Sequence, residues 1–122
     1  MLRLMKEKES INVVSDQFGC PTYAADLAAA LIQIIVSKQS KANPGIYHYN
    51  NAGITNWYQF AVAIKKLTDS NCIVNPIPTS QYPTAAKRPA YSVLDTIKIK
   101  ETFGLAIPEW EESLGKCLEK LV

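Results

Sequence analysis

The sequence is poor in the residues from which reactive sites are usually built. Its 122 residues include one histidine, His48, and three cysteines, Cys20, Cys72 and Cys117, far apart and without a CxxC pair. A structural zinc site needs four clustered thiolates or imidazoles, and a disulfide framework needs an even, patterned set of cysteines. Neither can be assembled here, so no metal site is expected and the thiols read as reduced ones of a cytosolic protein. The five glycines, at positions 19, 45, 53, 104 and 115, are too dispersed for a glycine-rich turn that cradles phosphates. No apolar run approaches the ~18 residues of a membrane span, and the start carries no apolar signal core. The net charge is only +2, with lysines spread among acidic residues, which argues against a nucleic-acid partner. These absences lead to the expectation of a cytoplasmic, soluble chain with no membrane partner. Its length suits a single domain over 1–122, large enough to bury roughly 65% of its unfolded surface.

What is present reads as a small mixed α/β fold of short strands and about four helices. Ile11 to Val14 is β-branched and predicts a strand. A polar loop follows, in which Asp16, Gln17, Gly19 and Thr22 offer polar atoms and one permissive backbone position, while Pro21 stiffens the approach to a helix. Leu27, Leu31, Ile34 and Ile35, widened by Ala28 and Ala30, form that helix's apolar stripe, Thr22 or Tyr23 can cap it, and Asp26 suits the positive end of its dipole, a structural role. After the turn at Asn43-Pro44-Gly45, Ile46 to Tyr49 predicts a second strand. Strand, helix, strand at this spacing predicts a parallel βαβ unit whose loops after Val14 and Tyr49 open on one edge. His48 lies within the strand pattern and reads as a packed or hydrogen-bonded structural histidine, and Asn50 to Gly53 reads as a turn whose amides could also reach a ligand.

Asn56 and Gln59 form a capping pair for a helix whose apolar face is Trp57, Phe60, Ala61, Ile64 and Leu67. Ile73 and Val74 begin an extended run toward Pro76 and Pro78 that fits an edge strand or a loop. Thr79 to Pro89 is the longest aperiodic stretch, and loops of that length in compact domains usually carry function. Within it, Arg88 has a planar fork able to hold two phosphate oxygens at once. Asp95 is placed to cap a helix that Gly104 closes, and Pro108 can open a last helix packed through Trp110, Leu114, Cys117, Leu118 and Leu121. Glu109, Glu111 and Glu112 load its amino end, as the dipole favours. Met1 to Glu9 has helix-forming composition but no cap. It reads either as the tail of a helix begun elsewhere or as an ordinary chain start.

Four stretches carry a resemblance. DQFGCPTYAADLA, from Asp16 to Ala28, is similar to the DQxGxPTxxxDLA segment of the dTDP-4-dehydrorhamnose reductases, of the extended short-chain dehydrogenase/reductase superfamily. Gly45 to Asn51, Asn56 to Ala61, and Lys87 to Asp95 with Phe103-Gly104 beyond agree in order and spacing. The likeness extends over nearly the whole chain but only over the carboxyl-terminal part of that family. It implies the substrate-binding lobe of an NAD(P)-binding Rossmann-like fold without its amino-terminal Rossmann half, residues 1–10 being the tail of a helix from that half. It also implies a dTDP-sugar partner, with Gln17, Gly19, Pro21, Thr22, Lys87 and Arg88 as substrate-binding residues and Arg88 facing the diphosphate. The complete enzyme would use NADPH, or NADH, to reduce dTDP-4-dehydro-L-rhamnose to dTDP-L-rhamnose, and some members bind a divalent ion, for which Mg2+ is the candidate.

No cofactor and no catalytic residue is expected in this chain. The superfamily's Tyr-x-x-x-Lys pair, in which tyrosine is the general acid, is absent: the residues four beyond the six tyrosines are Leu27, Asn51, Gly53, Val62, Ala86 and Asp95. The chain alone is therefore expected to be inactive, and apolar surface meant for a partner lobe would favour homo-oligomers. A second reading is a non-catalytic interaction module, since the family also resembles the regulatory subunit of methionine adenosyltransferase.

Overall fold

Parallel pairing of two five-residue strands, not the βαβ unit expected from sequence, organises the first part of the computed structural model, which describes residues 1–121. The chain divides into two compact units, one formed by Met1–Gly19 with Ile54–Val93 and the other by Cys20–Gly53 with Leu94–Val122. The elements are five helices and four short strands among the described residues, a mixed α/β fold as the pattern predicts.

In the first unit, β1 (Ser10–Val14) pairs with β4 (Ile73–Ile77) from Ser10 opposite Ile73 to Val14 opposite Ile77. The expected partner, Ile46 to Tyr49, belongs to no strand among the described residues. The prolines do not prevent β4 from pairing, and the register explains why. Ile73 N–H donates to Glu9 O (2.8 Å) and Ser15 N–H donates to Ile77 O (3.0 Å), so residues 73, 75 and 77 face β1. Pro76 therefore presents its missing N–H to the outer side, where no ladder bond is lost. Helix α1 (Leu2–Glu7) packs on β1 and buries Met5. Helix α3 (Trp57–Leu67) lies against β1 and β4 and buries Ala61 and Ile64, and Ile11, Val13 and Val14 of β1 are buried as well. Trp57 and Leu67, expected in its packing face, are exposed. Asn56 caps α3 as predicted, its Oδ1 accepting from Gln59 N–H at 2.8 Å, but Gln59 Oε1 accepts from the Thr55 hydroxyl at 3.2 Å instead of closing the box.

Two residues, Phe18–Gly19 (β2), pair antiparallel with Thr55–Asn56 (β3). On its other side Phe18 bridges to the 90–92 stretch: Phe18 N–H donates to Ala90 O (2.8 Å) and Ser92 N–H donates to Phe18 O (2.9 Å).

In the second unit, α2 (Ala24–Val36) and α4 (Ile97–Phe103) enclose a core of Ala30, Ile99, Phe103 and Leu105, with Ile34, Tyr47, Tyr49 and Ile107 against it. The Tyr47 and Phe103 rings meet at 5.0 Å, tilted by 57°. The stripe expected to pack is thus rotated: Ala30 and Ile34 turn inward, while Leu31 and Ile35 are exposed, beside exposed Ile32 and Val36. Ile46 to Tyr49 keeps the two-residue alternation of a strand, Tyr47 and Tyr49 half-buried and Ile46 81% exposed. His48 is exposed and makes no hydrogen bond among the described residues, which corrects the packed or bonded reading.

Gly104 ends α4 in the left-handed region (φ 61°), as predicted. Asp95 acts one residue earlier than expected, its carboxylate accepting from Ile97 N–H at 2.8 Å while Thr96 holds the cap position. Helix α5 (Trp110–Glu119) buries Trp110, Ser113, Leu114 and Leu118, with acidic Glu111 and Glu112 in its first turn. Leu121, expected in the packing face, is exposed.

Candidate functional site

Because β1 and β4 run parallel, the segments after Val14 and Ile77 leave the same edge, and ligands on α/β sheets bind outside the carboxyl ends of strands. In the first unit a polar cluster stands there. Both Asp16 carboxylate oxygens accept from Thr79 N–H at 2.9 Å, and the Thr79 hydroxyl donates to Asp16 Oδ1 at 2.5 Å. Gln17 Nε2 donates to Thr79 Oγ1 at 3.0 Å. The Thr79 hydroxyl, and next its backbone N–H, hold Asp16 below its ordinary carboxylate value, so the group is an anion at neutral pH.

Gly19 completes this edge. A Cβ built there would stand 3.1 Å from Ser92 Oγ, tighter than side chains normally pack, so glycine lets the 90–92 stretch run close beside β2. Lys87 and Arg88 lie two to three residues ahead of Ala90, whose carbonyl Phe18 pins. Both are exposed, and neither forms an ion pair or hydrogen bond among the described residues. The first unit thus brings Gln17, Gly19 and the Lys87–Arg88 segment to neighbouring backbone positions.

Pro21 and Thr22 belong to the second unit, at the entry to α2. Neither Thr22 nor Tyr23 caps that helix through its side chain. Asn51 Oδ1 accepts from Tyr23 N–H at 2.7 Å instead. Asn51, only 1% exposed, also shares its two Nδ2 hydrogens among Asp26 Oδ2 (2.7 Å), Ser113 Oγ (2.9 Å) and Pro108 O (3.2 Å). Ser113 in turn donates to Asp26 Oδ2 at 2.5 Å. Asp26 is therefore structural, as read from its position, and Asn51 is committed to holding the corner that carries Pro21 and Thr22. Burial, and then the Asp26 charge, push the Tyr49 phenol up, keeping it protonated. The neighbouring Asn50 is buried, with its side-chain oxygen Oδ1 unbonded among the described residues.

Sequence reasoning missed Thr79, Asn51 and Ser113. Thr79 had a usable signal, a hydroxyl two residues beyond a strand that the prolines disguised. Asn51 and Ser113 had none, since their partners are 25 to 87 residues away.

The fold and this edge define a class: a mixed α/β binding segment whose polar groups gather at the carboxyl end of a parallel strand pair. More narrowly, the chain belongs to the family described as the RmlD substrate binding domain, whose model matches residues 1–122. It is 44% identical to dTDP-4-dehydrorhamnose reductase of Aggregatibacter actinomycetemcomitans, across 93% of this chain and 42% of that protein. It is 40% identical to the spore coat polysaccharide biosynthesis protein SpsK of Bacillus subtilis (strain 168), across 98% of this chain and 40% of that one. The crystal structure of dTDP-4-dehydrorhamnose reductase from Bacillus anthracis str. Ames in complex with NADP is similar with a TM-score of 0.88 at 35% identity, over 98% of this chain and 41% of that one. The chain spans about two fifths of the length of these relatives.

The residues present do not fit a nicotinamide dinucleotide. Its pyrophosphate needs glycines opening onto a helix start, whereas Gly19 lies in β2, Gly104 ends α4, and Gly115 is inside α5. Gly53 is packed so closely that a Cβ would meet Trp110 at 2.8 Å. Gly45 lies in the loop between α2 and the Tyr47 stretch. Among the described residues no three His, Cys, Asp or Glu side chains are grouped to share a metal ion.

Proposed function

We propose that this chain supplies the nucleotide-sugar-binding part of an NADPH-dependent dTDP-4-dehydrorhamnose reductase, the whole of 1–122 serving as its carboxyl-terminal segment. Gln17, Gly19, Pro21 and Thr22 contribute contacts to the nucleotide sugar. Arg88 holds the diphosphate with its bidentate fork, and Lys87 adds a second cation. The complete protein reduces the C4 ketone of dTDP-4-dehydro-L-rhamnose in the cytoplasm, with the nicotinamide cofactor held by residues outside this chain. NADP in the B. anthracis relative supports that part of the reading. A magnesium site is not assigned to these residues. The exposed α2 face, Leu31, Ile32, Ile35 and Val36, is the surface this reading gives to the cofactor-binding part. Among the described residues no helix is long and apolar enough to cross a membrane.

One observation carries the reading: an unpaired guanidinium rides on a segment whose next residues are hydrogen-bonded to the Gln17–Gly19 edge. Replacing Arg88 by alanine in the intact protein should weaken dTDP binding roughly 10- to 150-fold, the worth of a charge-assisted hydrogen bond. Calorimetry showing unchanged affinity would remove Arg88 from the site.

A further inference from the structure

We infer that Asp16 and Thr79 are positioning residues that lock the Gln17 side-chain amide with its carbonyl oxygen turned to the ligand, so that Gln17 reads a hydrogen-bond donor of the nucleotide sugar. The inference rests on the proposed function and adds a polarity to one residue of that site.

The argument is a count of hydrogens. An ionised carboxylate only accepts, and a threonine hydroxyl has a single hydrogen. That hydrogen is spent on Asp16 Oδ1 at 2.5 Å, and the Thr79 backbone N–H, 2.9 Å from both carboxylate oxygens, keeps the pair in register. Whatever approaches the Thr79 lone pairs must then donate. Gln17 meets Thr79 at 3.0 Å, so the NH2 group of its amide is the end that faces inward. Gln17 Oε1, on the other branch of the planar amide, accepts no hydrogen bond among the described residues, and the side chain is half-buried. An unanchored glutamine offers oxygen and nitrogen alike and loses rotamer freedom when it binds. This one is oriented before the ligand arrives.

The polarity divides the ligand between residues. Diphosphate oxygens are acceptors and suit Arg88. The Gln17 oxygen suits a donor, meaning a sugar or deoxyribose hydroxyl or the imide N–H of the base.

The test uses the intact protein and calorimetric affinities for dTDP-L-rhamnose, for dTDP, and for dTDP carrying an N3-methyl base or lacking the 3′-hydroxyl. Gln17→Leu should weaken binding of the ligand bearing the donor about tenfold. Thr79→Val should reproduce most of that loss, Thr79→Ser should restore affinity, and Asp16→Asn, which can itself donate to Thr79, should lose it again. The ligand stripped of the relevant donor should bind wild type and Gln17→Leu alike. That ligand is dTDP if a hexose hydroxyl is read, the 3′-deoxy compound if the deoxyribose is, and the N3-methyl compound if the base is. A purely structural role for Thr79 would weaken every ligand equally and overturn the inference. Full affinity in Thr79→Val alongside a weakened Gln17→Leu would overturn it while leaving Gln17 in the site. Unchanged affinity in Gln17→Leu would overturn the assignment of Gln17 and the inference together.

Discussion

Asp16 and Asn51 show how single polar side chains fix the two stretches on which the proposed binding rests. Asn51→Ala would delete four side-chain hydrogen bonds, leaving Tyr23 N–H unpaired and Asp26 with Ser113 alone. The expected cost is about 3 kcal/mol or more, read as a lower urea midpoint with an unchanged slope. Asp16 sets an acid dependence. Its folded value lies below the ordinary 3.8, so its contribution is complete above that value and is lost as the pH falls through the folded one. The stability gap between wild type and Asp16→Asn should therefore shrink from about pH 6 to about pH 3, and a gap that widens on acidification would contradict this sign. At this scale the sequence spoke where the cause was local. The helix-start position of Asp26 and the closing position of Gly104 follow from near neighbours, whereas Thr79 and Asn51 act through partners far along the chain.

Among the elements, the strand pairing is the clearest departure from sequence reasoning. Two signals competed in Ile73–Ile77: a β-branched start for a strand, and prolines against it. The register resolves them, because only alternate residues face β1. Asn75→Pro should therefore be destabilising where Pro76 is not, since Asn75 N–H faces β1. The loss would be about 1–3 kcal/mol for the carbonyl left without a donor, and equal stabilities of Asn75→Pro and wild type in denaturant would refute the register. Periodicity located α2, α3 and α5, and the end signals Asp95 and Gly104 located α4. Periodicity placed Ala30 and Ile34 in the α2 stripe but did not say that Leu31 and Ile35 of the same stripe stay exposed. The 46–49 stretch has strand alternation without a ladder, a difference that depends on a partner strand and not on its own residues.

As a whole molecule, the chain belongs to the RmlD substrate binding domain family along 1–122 and contains no Tyr-x-x-x-Lys sequence. Its fold class was legible because α/β patterning and turn residues agree along nearly all of it. The family was legible through the DQFGCPT and Lys87-Arg88-Pro89 stretches, while the contacts that anchor Gln17 and the 90–92 stretch were not. The most direct measurement is the amide spectrum of the chain titrated with dTDP. Shifts centred on Gln17 to Thr22 and on Lys87 to Ser92, saturating at a common affinity, are the predicted result. A spectrum unmoved at those residues, or moved only elsewhere, would contradict the account.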